Sequence, residues 1–404
     1  MKIEFGTFET LNLAEQTRRA EWRERSVRKI NAARAWRLEE LKREREGIAR
    51  AVDAYGVLDR GDVPTIVIRS RFACMERARS LAGGEDDDEP QDLAPAARAR
   101  ARRREIASRP PLTRLVHRAT NALAVYLTAV YVGHLEAKPG HAVINSRHNT
   151  RTTEGARKSW SLLAGLTAPR DIRTRRARMR RALDELVTAQ LVNIQPPGAR
   201  YRYEKWVLLR DDGSESQYVV PSEREAAGIR LPATFFLNGW HLVLAPGEIA
   251  MLLAIIDRAR VVGVGGQGGE QRWTALPQSV RRDLYGLSGE VYLHAQQLHE
   301  FGLIDLHDPM INRRRGKIFP TRLPPQPPTP QAADEEPRGT QKPPPPVPYL
   351  FSPPDMSVFD KAAFTVVHDT LSALSLPYRL DDQAELLKPQ DWVQFQLEAK
   401  RQSR

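Results

Sequence analysis

The sequence predicts a mainly α fold with small β-hairpins (α+β), and three observations carry that expectation. A long stretch rich in Arg, Glu, Ala and Leu lies near the N-terminus. Two segments in the middle repeat one helix, turn, helix and hairpin pattern. A proline-dense run then interrupts the chain before a last helical stretch. With 404 residues, 41% of them hydrophobic, the chain can build two or three domains.

The elements follow in order. Residues of about 10 to 55 hold no proline and one glycine, Gly47, which reads as a long charged helix. A heptad seam through Val27, Leu41 and Ile48 also carries Arg34, Arg37 and Glu44, a poor coiled coil. That helix is expected to pack on a partner domain or to lie along DNA. Thr65–Arg69 reads as a short strand. An acidic run at Glu85–Glu89 and the arginines Arg98 to Arg104 form a linker, closed by Pro110-Pro111. Prolines from Pro324 to Pro346 describe an extended segment that builds no core. Phe364, Val367, Leu371 and Leu374 return to helical spacing, and a further stretch ends in Trp392, Phe395 and Leu397. The expected division is 1–82 for the N-terminal helical region and 83–111 for the charged linker. It continues with 112–220 and 230–322 for the two repeated units, 323–354 for a Pro-rich linker and 355–404 for a helical C-terminal segment.

The repeat is the strongest signal. Leu186 to Ile194 lies in register with Leu298 to Leu306, and Leu163-Ala-Gly-Leu166-Thr167 parallels Leu284-Tyr-Gly-Leu287-Ser288. A short helix is expected to end at Gly165 or Gly286, where glycine permits the tight turn. Thr167 or Ser288 then caps the next helix. That helix buries Leu183 and Leu186, or Leu298 and Phe301, before a strand starts a hairpin. A preceding helix is expected at about Leu115–Leu135 in the first copy and at Pro246–Arg260 in the second. Helix, turn, helix and hairpin is the winged-helix order. Both segments resemble winged-helix domains, and Leu298-His-Glu-Phe-Gly-Leu303-Ile304 is similar to many bacterial ones. The pair resembles the replication initiators of plasmids and integrative elements. That resemblance covers about half of the chain. It implies that the second helix of each motif enters the major groove and that the wing touches backbone or minor groove. Members of this fold also serve as protein-binding modules.

Composition agrees with a polyanionic partner. The net charge is +12, with arginine supplying most of the positive charge. In the first copy the expected recognition helix carries Arg173, Arg175, Arg176, Arg178, Arg180 and Arg181 around an apolar side of Met179, Leu183 and Leu186. Such a surface can bridge phosphates and reach guanine edges. An upstream loop adds Asn145, Arg147, His148, Asn149, Arg151, Arg157 and Lys158. The wing is Gln195–Tyr203, with Arg200 and Arg202. In the second copy Glu290, Tyr292, His294, Gln296 and Gln297 are expected to be exposed. Either Gln296 or Gln297 reads adenine while the wing Arg313, Arg314, Arg315 and Lys317 holds phosphates, or this helix faces a protein and only the wing meets DNA. Arg281 and Arg282 are further expected phosphate contacts.

Chemistry is not expected, and neither is a cofactor. Gly263-Val-Gly265-Gly-Gln-Gly268 has the letters of a dinucleotide fingerprint but follows a helix, and no Walker loop exists. The nine histidines show no metal spacing, and the histidine pair of DNA nickases is absent. Asp211-Asp212 and Asp381-Asp382 read as solvated turns. The single cysteine, Cys74, excludes an internal disulfide. No long apolar span or signal peptide is evident, so a cytoplasmic, nucleoid-associated location is expected. The expected partner is double-stranded DNA. A homodimer and a protein ligand of the Pro-rich tail are further candidates, and a membrane is not. Replication initiation without nuclease activity is the first reading, transcription regulation the second, and a protein-interaction scaffold the third.

Overall fold

The computed structural model describes residues 13–75, 109–116, 121–150, 158–168, 171–222, 228–262, 273–307 and 348–374. Arg151, Arg157, Arg313, Arg314, Arg315 and Lys317 lie outside them. So do most of the charged linker, the glycine-rich loop, the Pro-rich run, Asp381-Asp382 and the stretch ending in Trp392, Phe395 and Leu397.

Helix α1, Leu13–Leu58, has 46 residues, a rod of roughly 69 Å. Its C-terminal half is the spine of the molecule: Leu41, Ile48, Ala51, Ala54 and Tyr55 are buried. Strand β1, Thr65–Arg69, follows as expected. It pairs antiparallel with β4, Gly228–Pro232, from Thr65 opposite Pro232 to Arg69 opposite Gly228. The N-terminal region is therefore joined to the chain between the two repeated units. Buried side chains of α1, β1 and both units belong to one hydrophobic core.

The first unit begins with α2, Pro111–Val116, and α3, Ala122–Glu136. The single helix expected at Leu115–Leu135 is thus two pieces. Helix α3 is buried nearly all round, as its apolar composition requires. A short α4, Trp160–Leu163, leads to α5, Ile172–Thr188, and then to the antiparallel pair β2, Val192–Asn193, and β3, Val207–Leu208. The second unit has α6, Ala233–Leu237, and α7, Trp240–Val243, before α8, Pro246–Val262. Strand β5, Thr274–Ala275, a π-helical turn at Val280–Leu284 and α9, Gly289–Glu300, come next. Strands β6, Asp305–His307, and β7, Leu350–Ser352, complete a three-stranded antiparallel sheet in the order β5-β7-β6. Residues 350–352 of the stretch read as linker are thus a strand of this sheet. Its register sets His307 opposite Leu350. Helix α10, Ala363–Leu374, packs on α1 and buries Val367 and Leu371.

Both turns of the repeat use glycine with positive φ, 70° at Gly165 and 64° at Gly286, where an L side chain would be strained. Gly47 serves a different need. A Cβ there would lie 2.5 Å from the carbonyl oxygen of Gly165, so α1 crosses the first turn at backbone distance.

Polar groups fix these junctions. The Tyr55 hydroxyl lies 3.0 Å from His241 Nε2 and 3.2 Å from Thr128, tying α1 to both units. Arg69 donates to Asp211 at 2.8 Å through its side chain and at 2.7 Å through its backbone. Asp211 is wholly buried, not solvated as the sequence suggested. Burial pushes its carboxyl up, and Arg69 opposes that shift. Among the described residues, no helix is long and apolar enough to cross a membrane.

Candidate nucleic-acid interface

Helix α5 begins where its chemistry allows. Asp171, not Thr167, is the cap: its carboxylate accepts from the backbone N–H groups of Arg173 at 3.0 Å and Thr174 at 2.9 Å. Those bonds hold its pKa below the ordinary carboxylate value. Met179, Ala182, Leu183 and Leu186 are buried on the inner face. Arg173, Arg176, Arg180 and Arg181 are exposed on the outer one. From Arg173 to Arg180 the helix rises about 10 Å, which fits within the roughly 12 Å width of a major groove.

The other two arginines of the helix differ. Arg175 is half-buried. Arg178 pairs with Glu44 of α1 at 2.8 Å, and their side chains are only 31% and 22% exposed. Arg178 therefore anchors α5 to α1 and is not directed at a ligand. The expected six-arginine surface is four arginines and an anchor, with Arg175 between the two roles.

The connection from β2 to β3 stands beside this face. Two guanidinium groups lie over the Tyr203 ring, Arg180 of α5 at 5.6 Å and Arg202 at 5.2 Å. Its hydroxyl donates to Asp184 of α5 at 3.0 Å. Arg202 Nε donates to the Gln195 carbonyl at 3.1 Å, which closes the loop. Arg200 is exposed at its tip. Each guanidinium–ring contact contributes on the order of 1 kcal/mol. The stack therefore holds helix and loop as one cationic surface.

The loop upstream of α4 corrects the sequence reading. Arg147 is only 5% exposed. It donates to the Lys158 carbonyl at 3.0 Å, to the Glu136 carboxylate, and lies over the Trp160 ring. A buried guanidinium held by these contacts cannot reach a phosphate. Asn145 accepts from Trp160 Nε1 at 2.9 Å, and Asn149 accepts from Trp206 Nε1 at 3.0 Å. Asn149 also donates to the Tyr203 carbonyl. These groups brace α4 and β3. Two indoles that need acceptors, with two asparagines nearby, are the sequence signal that could have marked the brace.

In the second unit Ser288 caps α9, accepting from Val291 N–H at 3.4 Å, as expected. Its outer face differs from that of α5. Glu290, Leu293 and Gln296 are exposed, and Tyr292 is buried, contrary to expectation. Gln296 donates to Glu300 at 3.3 Å, and Gln297 bonds His294 at 3.2 Å. Helix α1 reaches this unit through Arg34, 3.2 Å from Glu300, and through Arg37, which grips both oxygens of the fully buried Glu248. Arg37 also lies 5.3 Å over the Phe301 ring. Arg281 is buried too, donating to the Ser288 carbonyl over the Tyr292 ring. It is therefore no phosphate contact, whereas Arg282 is exposed.

No protein-family model, no curated protein and no solved structure matches the chain.

Proposed function

We propose that the protein binds double-stranded DNA through the first of two winged-helix units, with α5 in the major groove and the β2–β3 wing on the flanking backbone. The observation that carries this reading is the outer face of α5. Four exposed arginines stand on a capped helix whose opposite face is core, and the wing is stacked on one of them. Counterion release from phosphates would supply most of the affinity, and the same guanidinium groups can read guanine. The order of α8, the π-turn, α9 and the β5-β7-β6 sheet supports a second winged-helix unit. There the anionic and amide-lined α9 meets α1, which favours a protein-facing role for that helix. With the resemblance to plasmid and mobile-element initiators, we place this binding in replication initiation without nuclease chemistry. Transcription regulation would use the same surface.

Duplex binding followed by fluorescence anisotropy over a salt series tests the proposal, using random and genomic-library DNA. Steeply salt-dependent binding, with some fragments retained at higher salt, is the expected result. Indifference to duplex DNA at low salt would overturn it and leave the docking role.

A further inference from the structure

The wing of the first unit carries an aromatic side chain that its own packing leaves more than half exposed. Tyr201 is 58% exposed. The aromatics beside it are tied into the fold, Tyr203 by Arg180 of α5 and Trp206 in the core. Its backbone is also unusual. Tyr201 has φ of 63°, the left-handed region that residues other than glycine seldom adopt. Local bonds hold it there: Arg202 N–H donates to the Ala199 carbonyl at 3.3 Å, and Glu204 N–H to the Tyr201 carbonyl at 2.8 Å. Glycine occupies the other left-handed position of this loop, Gly198, with φ of 87°. Strain kept at an exposed aromatic points to a use outside the fold. Arg200 adds a charge, its guanidinium 4.9 Å from the centre of the Tyr201 ring.

A flat ring beside a cation is the pair that stacks on an unpaired base and neutralises its phosphate. An intact duplex offers no free base face, because every base is stacked between its neighbours. A base at a duplex–single-strand junction does. The ring is tied to the groove-binding face through the Arg180–Tyr203–Arg202 stack, so DNA on α5 passes close to it. We propose that the wing of the first unit takes an unpaired base at such a junction, with Tyr201 as the stacking platform and Arg200 on the adjoining phosphate. This rests on the DNA-binding reading above and names the form of DNA that the wing selects.

The test compares an intact duplex with the same duplex carrying a short mismatched bubble, by anisotropy with the full chain. Wild type should favour the bubble about tenfold, and Tyr201→Ala should bring that ratio near one, while Tyr201→Phe keeps it. A 2-aminopurine in the bubble should be quenched by wild type and by Tyr201→Phe, and not by Tyr201→Ala. The inference is overturned if wild type binds the duplex with no bubble preference. It is equally overturned if Tyr201→Ala keeps both the ratio and the quenching. Failure of wild type to bind either DNA strikes the DNA-binding reading first, and this one with it.

Discussion

Replacing Arg37 by alanine should loosen the grip of α1 on the second unit, and its cost can be worked from the contacts. Glu248 has no exposure and the Arg37 side chain is 13% exposed. Without the guanidinium, the carboxylate keeps the Ala245 N–H at 2.8 Å, its own reach back over the start of α8. His294 Nδ1 stands at 4.0 Å. Stranding one partner of a buried pair costs about 3–5 kcal/mol. The lost stacking over Phe301 adds on the order of 1 kcal/mol. Urea unfolding of the full chain, read by tryptophan fluorescence, is the assay. With a slope near the upper end of about 1–3 kcal/mol per molar, the midpoint should fall by roughly 1 M or more. The double change Arg37→Met with Glu248→Gln should cost much less, because no charge is left buried alone. A loss below about 1 kcal/mol for Arg37→Ala, the value of an exposed pair, would refute the reasoning.

Four further outcomes are expected. Arg176→Ala with Arg180→Ala should weaken duplex binding and reduce the slope of log affinity against log salt by about 2; an unchanged slope would remove α5 from the interface. Arg147→Ala should instead lower stability by about 2 kcal/mol, through lost charged hydrogen bonds, and leave the salt slope unaltered. Burial lowers the His134 imidazole to about 4 and the His241 imidazole to about 3. Both lie below the unfolded value of about 6.5, so their stabilisation is complete above that pH and is lost as pH falls toward the folded values. Denaturant curves should show each histidine contributing roughly 2 kcal/mol of loss between pH 7 and 5, and His134→Gln should remove its share. Gly47→Ala would stabilise an exposed helix by about 1 kcal/mol, yet should lower the thermal midpoint here, since its Cβ would meet the Gly165 carbonyl at 2.5 Å.

What could be read in the sequence was local. Gly165 and Gly286 marked two turns that need positive φ, and Leu183, Leu186, Leu298 and Phe301 marked buried helix faces, because pattern and conformation are set within a few residues. The exposed arginines Arg173, Arg176, Arg180 and Arg181 followed from the same periodicity. Pairings between distant residues were not legible. Arg147 and Arg281 read as DNA contacts, and only the tertiary structure brings Glu136, Trp160 and Tyr292 against them. Strand β7 is three residues long and carries no alternating pattern that could reveal its partners, β5 and β6. The seam of α1 is the instructive case. Arg34, Arg37 and Glu44 spoil it as a coiled coil, and these same residues pair with Glu300, Glu248 and Arg178. The seam is built to bury against two different units instead of a copy of itself.

The most direct test of the central claim is arginine-selective chemical footprinting of the full chain, free and with bound duplex, read by mass spectrometry. Arg173, Arg176, Arg180, Arg181 and Arg200 should lose reactivity when DNA binds, with the half-buried Arg178 little changed. Reactivity of these five as high in the complex as in the free protein would contradict that claim.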